Sequence, residues 1–235
     1  MIEMGLGPEL LSLRLYGSYA RGDHDELSDI DVLAIYGHRP TADFQMALRE
    51  HLTRRFGRNV DLAEYSSQRI EEFFRKGHLF AWHLYSESRA LQNEWNDFFL
   101  TLGTPRPYSA AASDARGFLD LLRSTTHEAL KPGVSLVYEA GLMYLASRNV
   151  AICTSYLMDG RPDFSRLALW NLCDRVGVDV GIDLNVYRKL MHCRFASIRG
   201  HRADEPSLSE INRGVEALAH ACEVIIERIC GRVPQ

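Results

Sequence analysis

Apolar positions change their spacing near residue 105, and with it the kind of element they specify. Before that point short apolar runs alternate with helical stretches. Leu11 to Tyr16 (LSLRLY) reads as a strand, and Asp29 to Tyr36 (DIDVLAIY) is apolar and β-branched after its opening carboxylates. Thr41 to Phe56 reads as a helix, because Phe44, Leu48, Leu52 and Phe56 recur at steps of four, and Gly57 stops it. Asn59 to Tyr65 alternates as a third strand, with Val60, Leu62 and Tyr65 inward and Asp61 and Glu64 elsewhere. Ser66 to Tyr85 reads as one helix, followed by an extended piece around Arg89 to Leu91.

Thr104-Pro105-Arg106-Pro107 reads as a linker, since each proline disfavours helix in the residue before it. Beyond it the pattern specifies helices over about 110–130, 134–158, 164–176, 183–199 and 207–231. The last is the best defined. Ser207 and Glu210 form a capping box behind Pro206, and Ile211, Val215, Leu218, Cys222, Ile225 and Ile229 make one stripe. The expected class is therefore α+β: a domain over residues 1–105 with a small sheet and flanking helices, then an all-α helical bundle over 106–235.

Composition narrows the picture modestly. Of 235 residues, 46% are hydrophobic and 25% charged, so a packed core is expected. No apolar run approaches a membrane span, and Met1 to Pro8 lacks the basic start and apolar stretch of a secretory signal, which predicts a cytoplasmic protein. The five cysteines, Cys153, Cys173, Cys193, Cys222 and Cys230, are odd in number and widely spaced; they are read as small apolar residues rather than zinc ligands or disulfides. A net charge of −4 argues against a protein that grips an extended nucleic-acid duplex, where phosphate neutralisation supplies most of the affinity.

Chemistry concentrates in Tyr16-Gly17-Ser18-Tyr19-Ala20-Arg21-Gly22-Asp23 and Ser28-Asp29-Ile30-Asp31-Val32. A strand ends in Gly17-Ser18, a polar loop follows, and the next strand opens with Asp29-x-Asp31. Two residues apart on a strand, these carboxylates share a face roughly 6.6 Å apart, with Ile30 and Val32 turned to the core. Carboxylates that close need compensation, and hard oxygen ligands suit magnesium, which binds through one or two carboxylates plus substrate phosphates. Gly17 lets backbone approach a ligand, Ser18 offers an amide and a hydroxyl to phosphate, and Arg21 lies in the loop where a guanidinium reaches a triphosphate. Ser28, directly before Asp29, is grouped with these nucleotide-binding candidates. Asp61 is the candidate third metal ligand and the base for an acceptor hydroxyl, with Glu64 as the weaker alternative.

Residues 15–34 resemble the motif of the DNA polymerase β-like nucleotidyltransferases, an apolar residue, Gly-Ser, a spacer and Asp-x-Asp. The form G-S-Y-A-R-G…S-D-I-D-V is especially similar to the minimal nucleotidyltransferases, and the aminoglycoside nucleotidyltransferases share the core. The resemblance implies a small mixed sheet, Gly17 and Ser18 on the triphosphate, Asp29 and Asp31 on Mg2+, and Asp61 as third ligand and base. The helical half more weakly resembles the bundles that follow this domain in aminoglycoside enzymes and in the HEPN family. Arg194 and His201 fall at an R-x6-H spacing, although Phe195 stands where a polar residue is usual.

The function expected is magnesium-dependent transfer of a nucleoside monophosphate, AMP from ATP, to a hydroxyl of a small molecule such as an antibiotic. The alternatives are modification of a protein or RNA end in a toxin–antitoxin-like setting, and a non-catalytic nucleotide-binding regulator. The basic residues Arg188, His192, Arg194, Arg199, His201 and Arg202 cluster on one helix and its end, where the dipole favours cations or where they face an anion. A homodimer fits the resemblance, although no apolar stripe demands one.

Overall fold

The computed structural model describes residues 10–26, 28–91, 97–200 and 202–231. The chain divides into two compact units, Met1–Ser109 and Ala110–Gln235. The first is built on a four-stranded mixed sheet in the order β3-β2-β1-β4. β1 is Leu10–Tyr16, β2 Ile30–Tyr36, β3 Val60–Ser66 and β4 Arg89–Ala90. β2 runs antiparallel to β1 and parallel to β3, and β4 pairs antiparallel with β1.

Strand alternation gives the two faces different work. On one face Leu13, Ile30, Val32, Ala34, Val60 and Leu62 pack with Leu48 and Leu52 of α2 (Ala42–Phe56), so the steps-of-four pattern is the buried stripe. On the other face Leu33 and Ile35 pack against Ile70, Phe73 and Phe74 of α3 (Ser67–Lys76) and Ala81 and Leu84 of α4 (Leu79–Glu87). A short helix, α1 (Gly17–Arg21), leaves the end of β1 directly.

The helix expected over Ser66 to Tyr85 is two helices. Gly77 ends α3 at φ +63°, and the amides of Gly77 and His78 donate to the carbonyls of Phe74 and Phe73, a Schellman closure. A Cβ at Gly77 would lie 2.2 Å from the Pro107 carbonyl oxygen, so only glycine fits. The proline segment read as a linker is strapped here: Arg106 donates its amide to Phe74, and Trp82 donates its indole N–H to the Arg106 carbonyl at 3.0 Å. The break depends on this distant backbone, which periodicity within 66–85 does not report.

Under the same face, Arg14 forms a buried ion pair with Asp97, which also accepts from Ser12, while the Arg14 guanidinium lies 4.2 Å from the centre of the Phe99 ring. The Arg14 fork also donates to the Ser88 hydroxyl at 2.8 Å. Burying these charges is tolerable because each is hydrogen-bonded.

The second unit is helical throughout: α5 (Ala111–Ala129), α6 (Leu136–Asp159), α7 (Ala168–Val176), α8 (Leu184–Arg199) and α9 (Leu208–Cys230). α6 packs against the other four and is apolar nearly all round, with Ala140, Met143, Ala146, Val150, Ala151 and Cys153 buried. Gly141 permits its close approach to α8, where an added Cβ would stand 2.9 Å from the Arg194 Cα. The capping box at Ser207 and Glu210 and the α9 stripe form as the sequence specifies. All five cysteines lie on helices outside any disulfide, four of them buried. Among the described residues no helix is long and apolar enough to cross a membrane.

Candidate active site

The strand pairing decides which side chains meet. Asp31 of β2 lies opposite Tyr16 of β1 on one side and Asp61 of β3 on the other. Registered partners share a face, so Tyr16, Asp31 and Asp61 form one row across three strands. The row sits at the strand ends, on the α3–α4 face, opposite Val60 and Leu62. Asp31 is half-buried and Asp61 exposed.

Gly17 closes over this row. Its φ is +69°, in the left-handed region, and a Cβ on it would lie 2.2 Å from Asp31 Oδ2. The glycine therefore sets two things at once: the sharp exit from β1 into α1, and contact between that turn and the carboxylate. Ser18, also buried, is the second residue of α1, and the N-cap residue Tyr16 makes no side-chain cap hydrogen bond. Burial, and then the charges of Asp31, Asp61 and Tyr65, push the Tyr16 hydroxyl well above its ordinary value. Both carboxylates thus act at one point in the row.

Asp29 immediately precedes β2 and is half-buried, two residues from Asp31. Arg21 is held by Glu87 at 2.7 Å and by Asp23 at 3.1 Å. Burial opposes its charge, but Glu87 and Asp23 outweigh that and raise its pKa. Ser28 folds back into the loop, its hydroxyl donating to Asp25 at 3.0 Å and accepting the Asp25 amide at 2.8 Å. Glu64 is turned to the α2 face, where it accepts from the Tyr36 hydroxyl at 2.9 Å and from Gln45 at 3.1 Å. Three residues along a strand from Asp61 reverses the face, so Glu64 stands apart from the row. His201 lies outside the described residues.

Two site neighbours escape sequence reasoning. Glu87, at the end of α4, accepts from Arg21 at 2.7 Å, and its carboxylate lies 2.9 Å from His83 Nε2. The His83 ring in turn meets Tyr16 edge-on with centroids 5.5 Å apart. The His83-x-x-x-Glu87 spacing was visible as a helical pair, but nothing in it shows that Arg21, 66 residues earlier, completes the group.

The donor set fits a hard divalent cation. Aligned carboxylates beside a glycine turn supply oxygen ligands, and magnesium needs only one or two carboxylates from the protein. Among the described residues no three His, Cys, Asp or Glu side chains form a ready-made cage, so phosphate oxygens and water would complete the shell.

Residues 7–81 match the family model described as Polymerase beta, Nucleotidyltransferase. This stretch is a polymerase β-type nucleotidyltransferase domain. The match spans the glycine-serine turn, the Asp-x-Asp strand and Asp61, and supports a nucleotidyltransferase. Among solved structures, the spectinomycin adenyltransferase AAD(9) from Enterococcus faecialis, with ATP and spectinomycin, is similar at 11% identity, TM-score 0.51, over 93% of each chain. That likeness is one of fold. A toxin-antitoxin structure with AMP-PNP matches 49% of this chain and 87% of its own at 18% identity, with a TM-score of 0.32. A search of curated proteins finds no match.

Proposed function

We propose that this nucleotidyltransferase moves AMP from ATP to a hydroxyl of a small molecule, with Asp29, Asp31 and Asp61 holding Mg2+ and with Gly17 and Ser18 holding the triphosphate. The observation that carries this reading is the row itself: Asp31 and Asp61 in register on adjacent strands, with Gly17 against Asp31. Carboxylates placed for packing would not be aligned at a strand end beside a left-handed glycine.

In this reading the acceptor oxygen attacks the α-phosphorus, and pyrophosphate leaves. Mg2+ held there would supply neutralisation of phosphate charge and so lower the barrier to attack. The protein residues divide the rest. Asp31, half-buried behind Gly17, is the fixed anchor; Asp61, exposed, is reachable by an acceptor and takes its proton. The Ser18 hydroxyl and the first-turn amides of α1 face the phosphate tail. Arg21 reaches phosphate only by exchanging Asp23 or Glu87 for it, while Ser28 holds the loop that delivers Asp29.

The purified chain with labelled ATP and Mg2+ tests the acceptor class. Aminocyclitols such as spectinomycin, the compound in the AAD(9) structure, head the panel, with cellular protein and RNA beside them. Label on a small molecule supports the reading; label only on protein or RNA moves the acceptor to the macromolecular alternative. Nucleotide binding without transfer to any of these would leave the non-catalytic nucleotide-binding regulator.

A further inference from the structure

The helical unit holds a cavity of about 630 Å3 whose lining includes Lys189, His192, Arg202, Ser135, Ser197 and Asp204. Lys189, His192 and Ser197 lie on one face of α8, at helical steps of three to five, and the buried Cys193 and Ala196 between them make the floor. Arg202 comes from the segment after α8. The third wall is the start of α6: Ser135 is its N-cap, accepting the Tyr138 amide at 3.3 Å, and Val137 also lines the cavity. The Leu136 and Val137 amides precede any intrahelical acceptor, and a helix of 24 residues puts partial positive charge at that end.

Three elements thus direct donors and positive charge into one space. None of Lys189, His192 and Arg202 forms an ion pair with a described residue. Two acids temper the field. Asp204 is on the lining, and Glu210 feels Lys189 but is engaged by the Ser207 amide at 2.8 Å and hydroxyl at 2.7 Å.

We infer that this cavity binds the phosphate monoester of a small molecule of sugar-phosphate to nucleotide size. A phosphate dianion has several acceptor oxygens, and the wall offers matching donors of different kinds: an ammonium, a guanidinium fork, the Ser135 hydroxyl and helix amides, while the Ser197 hydroxyl donates to the Arg194 carbonyl at 2.9 Å. The volume lies within the range of small-ligand pockets. Asp204 then serves a ligand hydroxyl, as an acceptor beside the cations. A polynucleotide is disfavoured by the acids beside the cations and by the net charge of −4. The inference concerns the helical unit alone and stands apart from the nucleotidyl-transfer reading.

Ribose 5-phosphate is titrated into the full-length protein at low salt without magnesium, with backbone amide NMR as the readout and ribose as the control. Shifts at Leu136, Val137, Lys189, His192 and Ser197 are expected, with no response to ribose. The double variant Lys189→Ala/Arg202→Ala should bind roughly tenfold more weakly while keeping its spectrum elsewhere, two exposed charge contacts being worth together about one decade. Unchanged affinity in that variant, equal shifts with ribose, no binding, or shifts confined to Gly17 and Ser18 would overturn the inference. Response to a 5′-phosphorylated oligoribonucleotide but not to ribose 5-phosphate would overturn it as well, in favour of a nucleic-acid surface.

Discussion

The two units treat carboxylates in opposite ways. In the sheet unit Asp31 and Asp61 stand in register at the strand ends, one half-buried and one exposed, beside a glycine turn. In the helical unit Glu139, in the first turn of α6, is only 4% exposed, and its Oε2 finds no hydrogen-bond partner among the described residues. Burial, with the charge of Glu128 adding to it and Lys131 opposing, holds its pKa above the ordinary 4.5. The first arrangement leaves charge where a cation and phosphate can meet it. The second takes an acid out of water and pushes it towards its neutral form. Substitution in the sheet row should therefore cost activity, and substitution around α6 should change stability.

The largest effect expected is from Asp31→Asn, which keeps shape and removes charge. Transfer should fall about a thousandfold, near 4 kcal/mol of barrier, while the thermal midpoint holds or rises as like-charge repulsion with Asp61 is relieved. A variant that transfers normally breaks the comparison. Gly17→Ala comes next. A Cβ 2.2 Å from Asp31 Oδ2 must displace the carboxylate or the turn, and misplacement of that order costs about a hundredfold in rate; single-turnover kinetics measure it.

Gly141→Ala probes the other unit. The new Cβ would meet Arg194 backbone at 2.9 and 3.0 Å, contacts no side-chain rotation relieves. A loss of about 2 kcal/mol is expected by urea denaturation. The smallest effect is from Glu139→Gln, expected to raise stability by about 1 kcal/mol at pH 7. The sign follows from linkage: a folded-state pKa raised above the unfolded value makes its contribution complete below about 4.5 and lost as pH rises through the folded value. The wild-type stability should thus decline relative to Glu139→Gln as pH climbs from 4.5 to 7, and parallel curves would contradict the buried-acid reading.

Much of the fold was legible because its signals are local. The mixed α+β class, the strands around Leu13, Val32 and Leu62, and the capped α9 all follow from alternation, three-to-four spacing and caps. What escaped depends on distant partners. Gly77 breaks a helix because the backbone of Pro107 arrives beside it, and Arg14 is buried because Asp97, 83 residues on, pairs with it. The motif residues Gly17, Asp29, Asp31 and Asp61 could be singled out from spacing and resemblance. That Asp31 pairs with Asp61, rather than one residue to either side, is a property of strand register and belongs to the three-dimensional structure. Likewise Arg21 and Ser28 look free in a loop sequence, whereas Glu87 and Asp25 engage them.

The most direct measurement is of metal–nucleotide binding itself. Mn2+, which shares magnesium's preference for oxygen ligands, can be followed by electron paramagnetic resonance with a non-hydrolysable ATP analogue in wild type, Asp31→Asn and Asp61→Asn. The account predicts a bound metal–nucleotide signal in the wild type that is lost or greatly weakened in Asp31→Asn and weakened in Asp61→Asn. Equal binding in all three proteins would contradict it.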